Sequence, residues 1–184
     1  MTERLEEFLN QQGVYTEIVE RWHSGIQLRV RAYVTDTLPE QELVTTVRAV
    51  VWKDSELLVI RDASGYVHIT PGGRREPQES LEATLRREVA EETGWSIRNI
   101  GLLGLLHFHH VTPKPEGYRY PYPDFLQLVY MADADGYQAA SRKQGGYEVE
   151  AEFRKLGEAQ RLGLPATQML FLTAGLQRRM ISRM

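Results

Sequence analysis

Glu88, Glu91 and Glu92 stand at i, i+3 and i+4 in a stretch with helical patterning, so their carboxylates share one face. Like charges at that spacing repel. A pair about 4 Å apart costs roughly 1 kcal/mol in water and about 4 kcal/mol at an effective dielectric of 20. Such a cluster wants a divalent cation or a basic partner, and carboxylate oxygens are hard ligands suited to Mg²⁺ or Mn²⁺. Arg87, four residues before Glu91, can offset part of the charge and orient that carboxylate. Three helical glutamates alone more often make a solvated acidic face. The segment upstream changes that reading. Pro71-Gly72-Gly73 lets the backbone approach a ligand or present a carbonyl to a metal, and Arg74 and Arg75 follow it, placed to meet phosphates. A loop, an acid cluster and flanking arginines make a site for a metal-bridged diphosphate.

These residues need elements to hold them. The clearest helix covers residues 80–93, with Ser80 as N-cap and Gly94 as the C-terminal stop. Leu81, Leu85 and Val89 form its apolar stripe, so the glutamates lie at the edge of the buried side. Upstream, Val44 to Val51 and Leu57 to Ile60 are β-branched runs around the turn-like Lys53-Asp54-Ser55, a hairpin pattern. Tyr66 to Thr70 reads as a short strand, and Pro71-Gly72-Gly73 is expected to forbid regular structure. Downstream, residues 101–111, 125–132 and 147–155 read as strands. A C-terminal helix begins at Pro165, with Met169, Thr173, Leu176 and Met180 on one face. Before all of these, residues 2–12 read as a helix ended by Gly13. Residues 14–22 are ambiguous between strand and helix, and 26–34 alternate as a half-buried strand. The expected division is an N-terminal extension over 1–40, able to cover substrate or to add a strand to a dimer, and a main domain over 41–184.

Residues 73–95 resemble the Nudix box of the MutT-like Nudix hydrolases, G-x5-E-x7-R-E-U-x-E-E-x-G-U, where U is a bulky apolar residue. Gly73, Glu79, Arg87, Glu88, Val89, Glu91, Glu92, Gly94 and Trp95 fill every specified position. The lead-in hairpin and the acidic strand Glu148 to Leu156 extend the resemblance to about residues 43–180. Gln78 departs from it, standing where many members carry glycine. The resemblance implies an α/β fold, an α/β/α sandwich around a mixed β-sheet with the box as loop–helix–loop. It implies hydrolysis of a nucleoside diphosphate linked to another group: a nucleotide sugar, an ADP-ribose-like compound or a nucleoside triphosphate. By motif position, Glu88, Glu91 and Glu92 would be metal ligands for Mg²⁺ or Mn²⁺, joined by a carbonyl of Gly72 or Gly73. Glu79 would support the loop, Arg87 would orient the glutamates, and Gly94 would turn the chain out of the helix. Glu91 is the first choice to take the proton from water. Glu148 or Glu150 is the second; they alternate with Val149 and should face one side of a strand.

The loop from Thr112 to Asp124 is the natural place for specificity. Four prolines stiffen it, and its rings and cations (Arg119, Tyr120 and Tyr122 above all) are candidates to stack on a base or meet phosphate, with Arg74 and Arg75. His107 and His109 should share a strand face, with His110 on the other. They do not suggest zinc, because no further nitrogen or sulfur ligand clusters nearby in the sequence. Trp22 and Trp52 read as packing residues.

Composition narrows the classes. The chain has 184 residues, 42% hydrophobic and 26% charged, which suits a globular domain with a real core. Its net charge is −3, so it has no excess of positive charge for a nucleic-acid polymer. It has no cysteine, which removes disulfides, thiolate metal sites and the catalytic cysteine that an isoprenoid diphosphate isomerase of this fold would need. The opening MTERLEEFLN lacks a basic-then-apolar leader, and no apolar run approaches a membrane span, so a cytoplasmic protein is expected. The expected partner is a small nucleotide, with a homodimer open. The competing class is a non-catalytic domain that senses a nucleotide. Such domains often lose box glutamates, and none is lost here. The proline that marks the ADP-ribose type would fall near His109 to Val111, and Pro113 is displaced from it.

Overall fold

A computed structural model describes residues 3–22, 25–143 and 145–181. The elements are α1 (Glu3–Asn10), β1 (Val14–Arg21), β2 (Gln27–Val34), β3 (Val44–Lys53), β4 (Glu56–Asp62), β5 (Val67–His68), β6 (Gly72–Arg74), α2 (Leu81–Thr93), β7 (Trp95–His110), β8 (Asp124–Tyr137), β9 (Glu148–Lys155), α3 (Leu156–Ala159) and α4 (Ala166–Ile181).

Among the described residues, one mixed sheet carries all nine strands. Its main order is β1-β2-β7-β8-β3-β4-β5, with β6 on β3 and β9 on β4. β3 and β8 are parallel, and every other pairing is antiparallel. Each face has its own core. Leu5 and Leu9 of α1 and Leu81, Leu85 and Val89 of α2 pack with Val47, Ala49, Leu105 and Leu128 on one face. On the other, Leu170, Phe171 and Ala174 of α4 pack with Val50, Trp52, Leu103 and Val129. This is an α/β/α sandwich, because β3, β7 and β8 are apolar on both sides and both faces must be covered. A fully buried leucine such as Leu85 contributes about 1.5–3 kcal/mol relative to exposure.

Several expectations are corrected. Pro71-Gly72-Gly73 does not forbid regular structure: Gly72–Arg74 pairs with Arg48, Val47 and Thr46 of β3. Strand β7 begins at Trp95 rather than 101. Register shifts at three places along its pairing with β8, and the left-handed Asn99 (φ 53°), interrupt its alternation and hide it from a period-two reading. On α4, Thr173 and Met180 are exposed, while Leu170, Phe171, Ala174 and Gly175 face the sheet. Met169 and Leu176 of the expected stripe pack partly against the same core, so periodicity picks out a stripe rotated from the buried one. Residues 14–22 resolve largely into β1, and the first forty residues extend the common sheet through β1 and β2.

Candidate active site

Helix α2 starts where Ser80 Oγ accepts from the Ala83 N–H at 3.1 Å and stops at Gly94, left-handed at φ 79°. The loop before it is held from within. Arg87 Nε and Nη2 each donate at 2.9 Å to the two oxygens of Glu79, and the Thr84 hydroxyl donates to the same carboxylate at 2.8 Å. Arg87 Nη2 also donates to the Arg74 carbonyl. The Arg87 hydrogen bonds, helped by Thr84, hold Glu79 down to about 2. From that anchor Arg87 Nη1 reaches Glu88 Oε1 at 2.8 Å and Glu91 Oε1 at 3.6 Å. The arginine therefore sits between the loop and two of the three clustered acids.

The glycines explain themselves by contact. A Cβ on Gly73 would lie 2.3 Å from Glu88 Oε2, so glycine lets that carboxylate lie on the backbone of β6. Gly72 has φ 136°, and a Cβ there would lie 2.2 Å from the Val47 carbonyl oxygen. The Gly72 N–H donates to Glu92 Oε2 at 2.9 Å. Burial pushes Glu92 up to about 8. The Gly72 N–H and Arg48 oppose that shift, while Glu148 and Glu88 add to it. Glu91 is anchored through its main chain, whose carbonyl accepts from the Lys143 N–H at 2.8 Å.

Beside this cluster opens a cavity of about 390 Å³. Glu148 stands in its wall with Arg48, which donates to the Thr70 carbonyl at 2.9 Å and to Gln127 Oε1 at 3.4 Å. His68 and Tyr66 stack at an interplanar angle of 16°, and Gln168 Nε2 donates to the Tyr66 hydroxyl. Burial, with Arg48 nearby, lowers His68 to about 4, so its ring is neutral at pH 7. Asp62 lies low because it accepts from the Ser64 hydroxyl and from backbone N–H groups, so the cavity holds an ionised carboxylate as well. Trp22 closes one side, tilted against Phe108 and Phe125 with 44% of its surface exposed.

The residues expected from sequence fall in three places. Glu79, Arg87, Glu88, Glu91, Glu92, Gly72 and Gly73 come together around the start of β6. Arg74, Arg75, Tyr120, Tyr122 and Arg119 do not line that cavity; Arg74, Arg75 and Tyr120 line a separate one of about 350 Å³. Arg74 lies over the Tyr120 ring, 4.2 Å from its centroid, and hydrogen-bonds its hydroxyl. Arg75 is engaged by the Glu79 and Gln41 carbonyls. The Tyr122 hydroxyl donates to the Thr112 carbonyl at 3.1 Å, and Arg119 is exposed. Glu150 is turned to Arg61 at 2.8 Å, and a register shift in the β4–β9 ladder separates it from Glu148, whose charge adds to the upward shift of Glu92. Trp22 is a cavity residue rather than simple packing. Arg48, Asp62, His68, Gln127 and Gln168 were missed. The available signal was a polar residue inside an apolar strand: Arg48 within Val44–Val51 and Gln127 within 125–132.

A family model described as the NUDIX domain matches residues 42–172. No curated relative matches the chain. Among solved structures, the chain is similar to a Bacillus subtilis pyrophosphohydrolase. The identity is 17% and the TM-score 0.56, over 90% of this chain and 97% of that one. It is similar to a NUDIX hydrolase from Nitrosomonas europaea at 22% identity and TM-score 0.54, over 71% and 87%. A third is the NUDIX domain of Shewanella oneidensis NrtR complexed with ADP ribose, at 21% and 0.54, over 73% and 87%. At these identities the neighbours speak for the fold.

Proposed function

Because the chain belongs to the NUDIX domain family and is a Nudix hydrolase, we propose that it cleaves the diphosphate linkage of a nucleoside diphosphate derivative in a reaction that depends on Mg²⁺ or Mn²⁺. The observation that carries this reading is geometric: Glu92 accepts the Gly72 N–H at 2.9 Å, and Gly72 pairs across β6 and β3 with Arg48. Arg48 stands in the wall of a cavity large enough for a nucleoside, which the acid cluster of the box therefore adjoins.

The residues fit a hard divalent cation. Glu88, Glu91 and Glu92 offer only oxygens, Glu88 lies against Gly73, and burial keeps Glu92 protonated near neutral pH until a cation balances its charge. When bound, the metal would lower the pKa of a water molecule and offset charge on the leaving phosphate. Arg87 keeps Glu88 and Glu91 aimed, through its anchor on Glu79. Glu91 takes the proton from the attacking water, and Glu148, in the cavity wall, stands second. Arg48 and neutral His68 read the polar edge of the substrate, and Trp22 stacks on its base. The cavity supports a nucleotide sugar, an ADP-ribose-like compound or a nucleoside triphosphate alike. Among the described residues no helix is long and apolar enough to cross a membrane. The exposed edge strand β1, carrying Val14, Tyr15 and Val19, supports pairing with a second copy.

The test is product analysis on nucleoside triphosphates, nucleotide sugars and dinucleoside polyphosphates with Mg²⁺ and with Mn²⁺. Turnover of one class, abolished in chelator and in Glu92→Gln, is expected. Tight nucleotide binding without turnover of any class would replace the hydrolase reading with the sensing one.

A further inference from the structure

On the face of β7 opposite the cavity, three side chains converge. His107 and His109 lie two residues apart, and Asp124 opens β8 directly across from His109. Leu106 and Phe108, which alternate with the histidines, line the cavity on the other face. His107 Nε2 is 2.7 Å and His109 Nδ1 2.8 Å from the same oxygen, Asp124 Oδ1. All three ligand atoms lie within 4.8 Å of one another. His107 and Asp124 are buried at 2% and 4% exposure, while His109 keeps 32%.

We propose that His107, His109 and Asp124 form a second metal site, separate from the box carboxylates, that takes Zn²⁺ or a similar borderline transition metal. The donor set decides the class. Two imidazoles and one carboxylate suit Zn²⁺, Co²⁺ or Ni²⁺, whereas Mg²⁺ and Ca²⁺ prefer oxygen alone. Zn–N bonds of about 2.0–2.1 Å put tetrahedral ligand atoms roughly 3.3 Å apart, so the two short contacts would open by about half an ångström and the two ring nitrogens, within 4.8 Å of each other, would draw together. His109, at the exposed side, leaves the remaining position to water. Arg31 and Arg29, which face His107 and His109 across β2, are both turned to Glu17, at 2.5 and 3.8 Å. The sequence spacing alone conceals this site, because its oxygen ligand lies beyond a loop, 15 residues after His109.

The site also has a consequence for that loop. His109 and Asp124 bracket residues 111–123, so a bound ion would clamp the base of the segment that carries Tyr120 to Arg74.

The test titrates the full-length protein with Zn²⁺ in a large excess of Mg²⁺, which occupies the box. One Zn²⁺ per chain is expected in the wild type and in Glu92→Gln, with a higher melting temperature. Binding and the thermal gain should both vanish in His109→Ala, a half-exposed position whose fold is checked by circular dichroism. Co²⁺ in place of Zn²⁺ should give visible d–d absorption in the wild type and none in Asp124→Asn. Absence of Zn²⁺ uptake by the wild type, or undiminished uptake by a folded His109→Ala, overturns the proposal.

Discussion

The Arg87 guanidinium and the Glu79 carboxylate meet in a bidentate pair, Nε to Oε1 and Nη2 to Oε2, both at 2.9 Å. One residue lies in the loop and the other two turns into α2, so the pair fixes the loop against the helix. The same guanidinium then touches Glu88 and approaches Glu91. Orientation of the acid cluster is thus built on a contact outside the cluster.

Glu79→Gln should break this anchor. Hydrogen bonds to a charged partner contribute about 1.5–3 kcal/mol, so the melting temperature at pH 7 should fall by roughly 4–8 °C. Glu79 titrates in the folded chain at about 2 rather than the ordinary 4.5. A depressed carboxyl stabilises fully above the unfolded value and loses that contribution as pH falls through the folded one. The gap between wild type and variant should therefore narrow between pH 4.5 and pH 2, as read by thermal melts in acid.

Glu92 carries the opposite sign. Its folded value is raised to about 8, so the folded chain holds a proton that the unfolded chain releases above about 4.5. In chelator, wild-type stability should decline as pH rises from 4.5 to 8, and Glu92→Gln should lack that decline and be the more stable protein at pH 8. With Mg²⁺ present the same variant should lose at least about a hundredfold in turnover.

The two glycines of β6 should respond differently to alanine. Gly72→Ala drives a methyl into the Val47 carbonyl, a backbone atom that cannot yield, and should cost about 2–4 kcal/mol in a denaturant titration. Gly73→Ala meets only the Glu88 carboxylate, the far end of a flexible side chain. Its melt should change little while its Mg²⁺ requirement rises.

Gln78 holds φ 67° in the box loop. Left-handed backbone costs a residue with a Cβ about 1–2 kcal/mol, partly offset by the greater freedom that glycine loses on folding. Gln78→Gly should therefore stabilise the protein by about 0.5–1 kcal/mol with unchanged activity. A loss of stability would contradict the strain.

Trp22→Ala tests the cavity. Base stacking contributes about 1–3 kcal/mol, so KM should rise roughly five- to hundredfold with kcat nearly constant. An unchanged KM would remove Trp22 from the substrate's path.

The resemblance carried by residues 73–95 implied the family and the sandwich fold, and their spacing placed the caps of α2 and the acid cluster. The reason is physical. A helix converts i, i+3 and i+4 directly into one face, so local sequence is enough to place Glu88, Glu91 and Glu92 together. The Gly73 contact with Glu88 and the Arg87 anchor on Glu79 lie within the box, whereas Gly72 meets Val47 only through the pairing of β6 with β3.

What the tertiary structure decided joins residues distant along the chain. Glu148 lines the cavity while Glu150 turns to Arg61, and the register shift between them in the β4–β9 ladder is one that a strand's alternation cannot reveal. The cavity takes Trp22 from the extension, Arg48 from β3, His68 from β5 and Gln168 from α4, elements that only sheet order brings side by side. The aromatic loop, persuasive as a row of rings and cations, closes on itself through Tyr122 and Thr112 and on the box through Arg74 and Tyr120. His107 and His109 acquire Asp124 only because β7 and β8 pair antiparallel in that register. Local spacing fixes which groups share one element, and long-range pairing, set by burial on both faces of the sheet, fixes which elements meet.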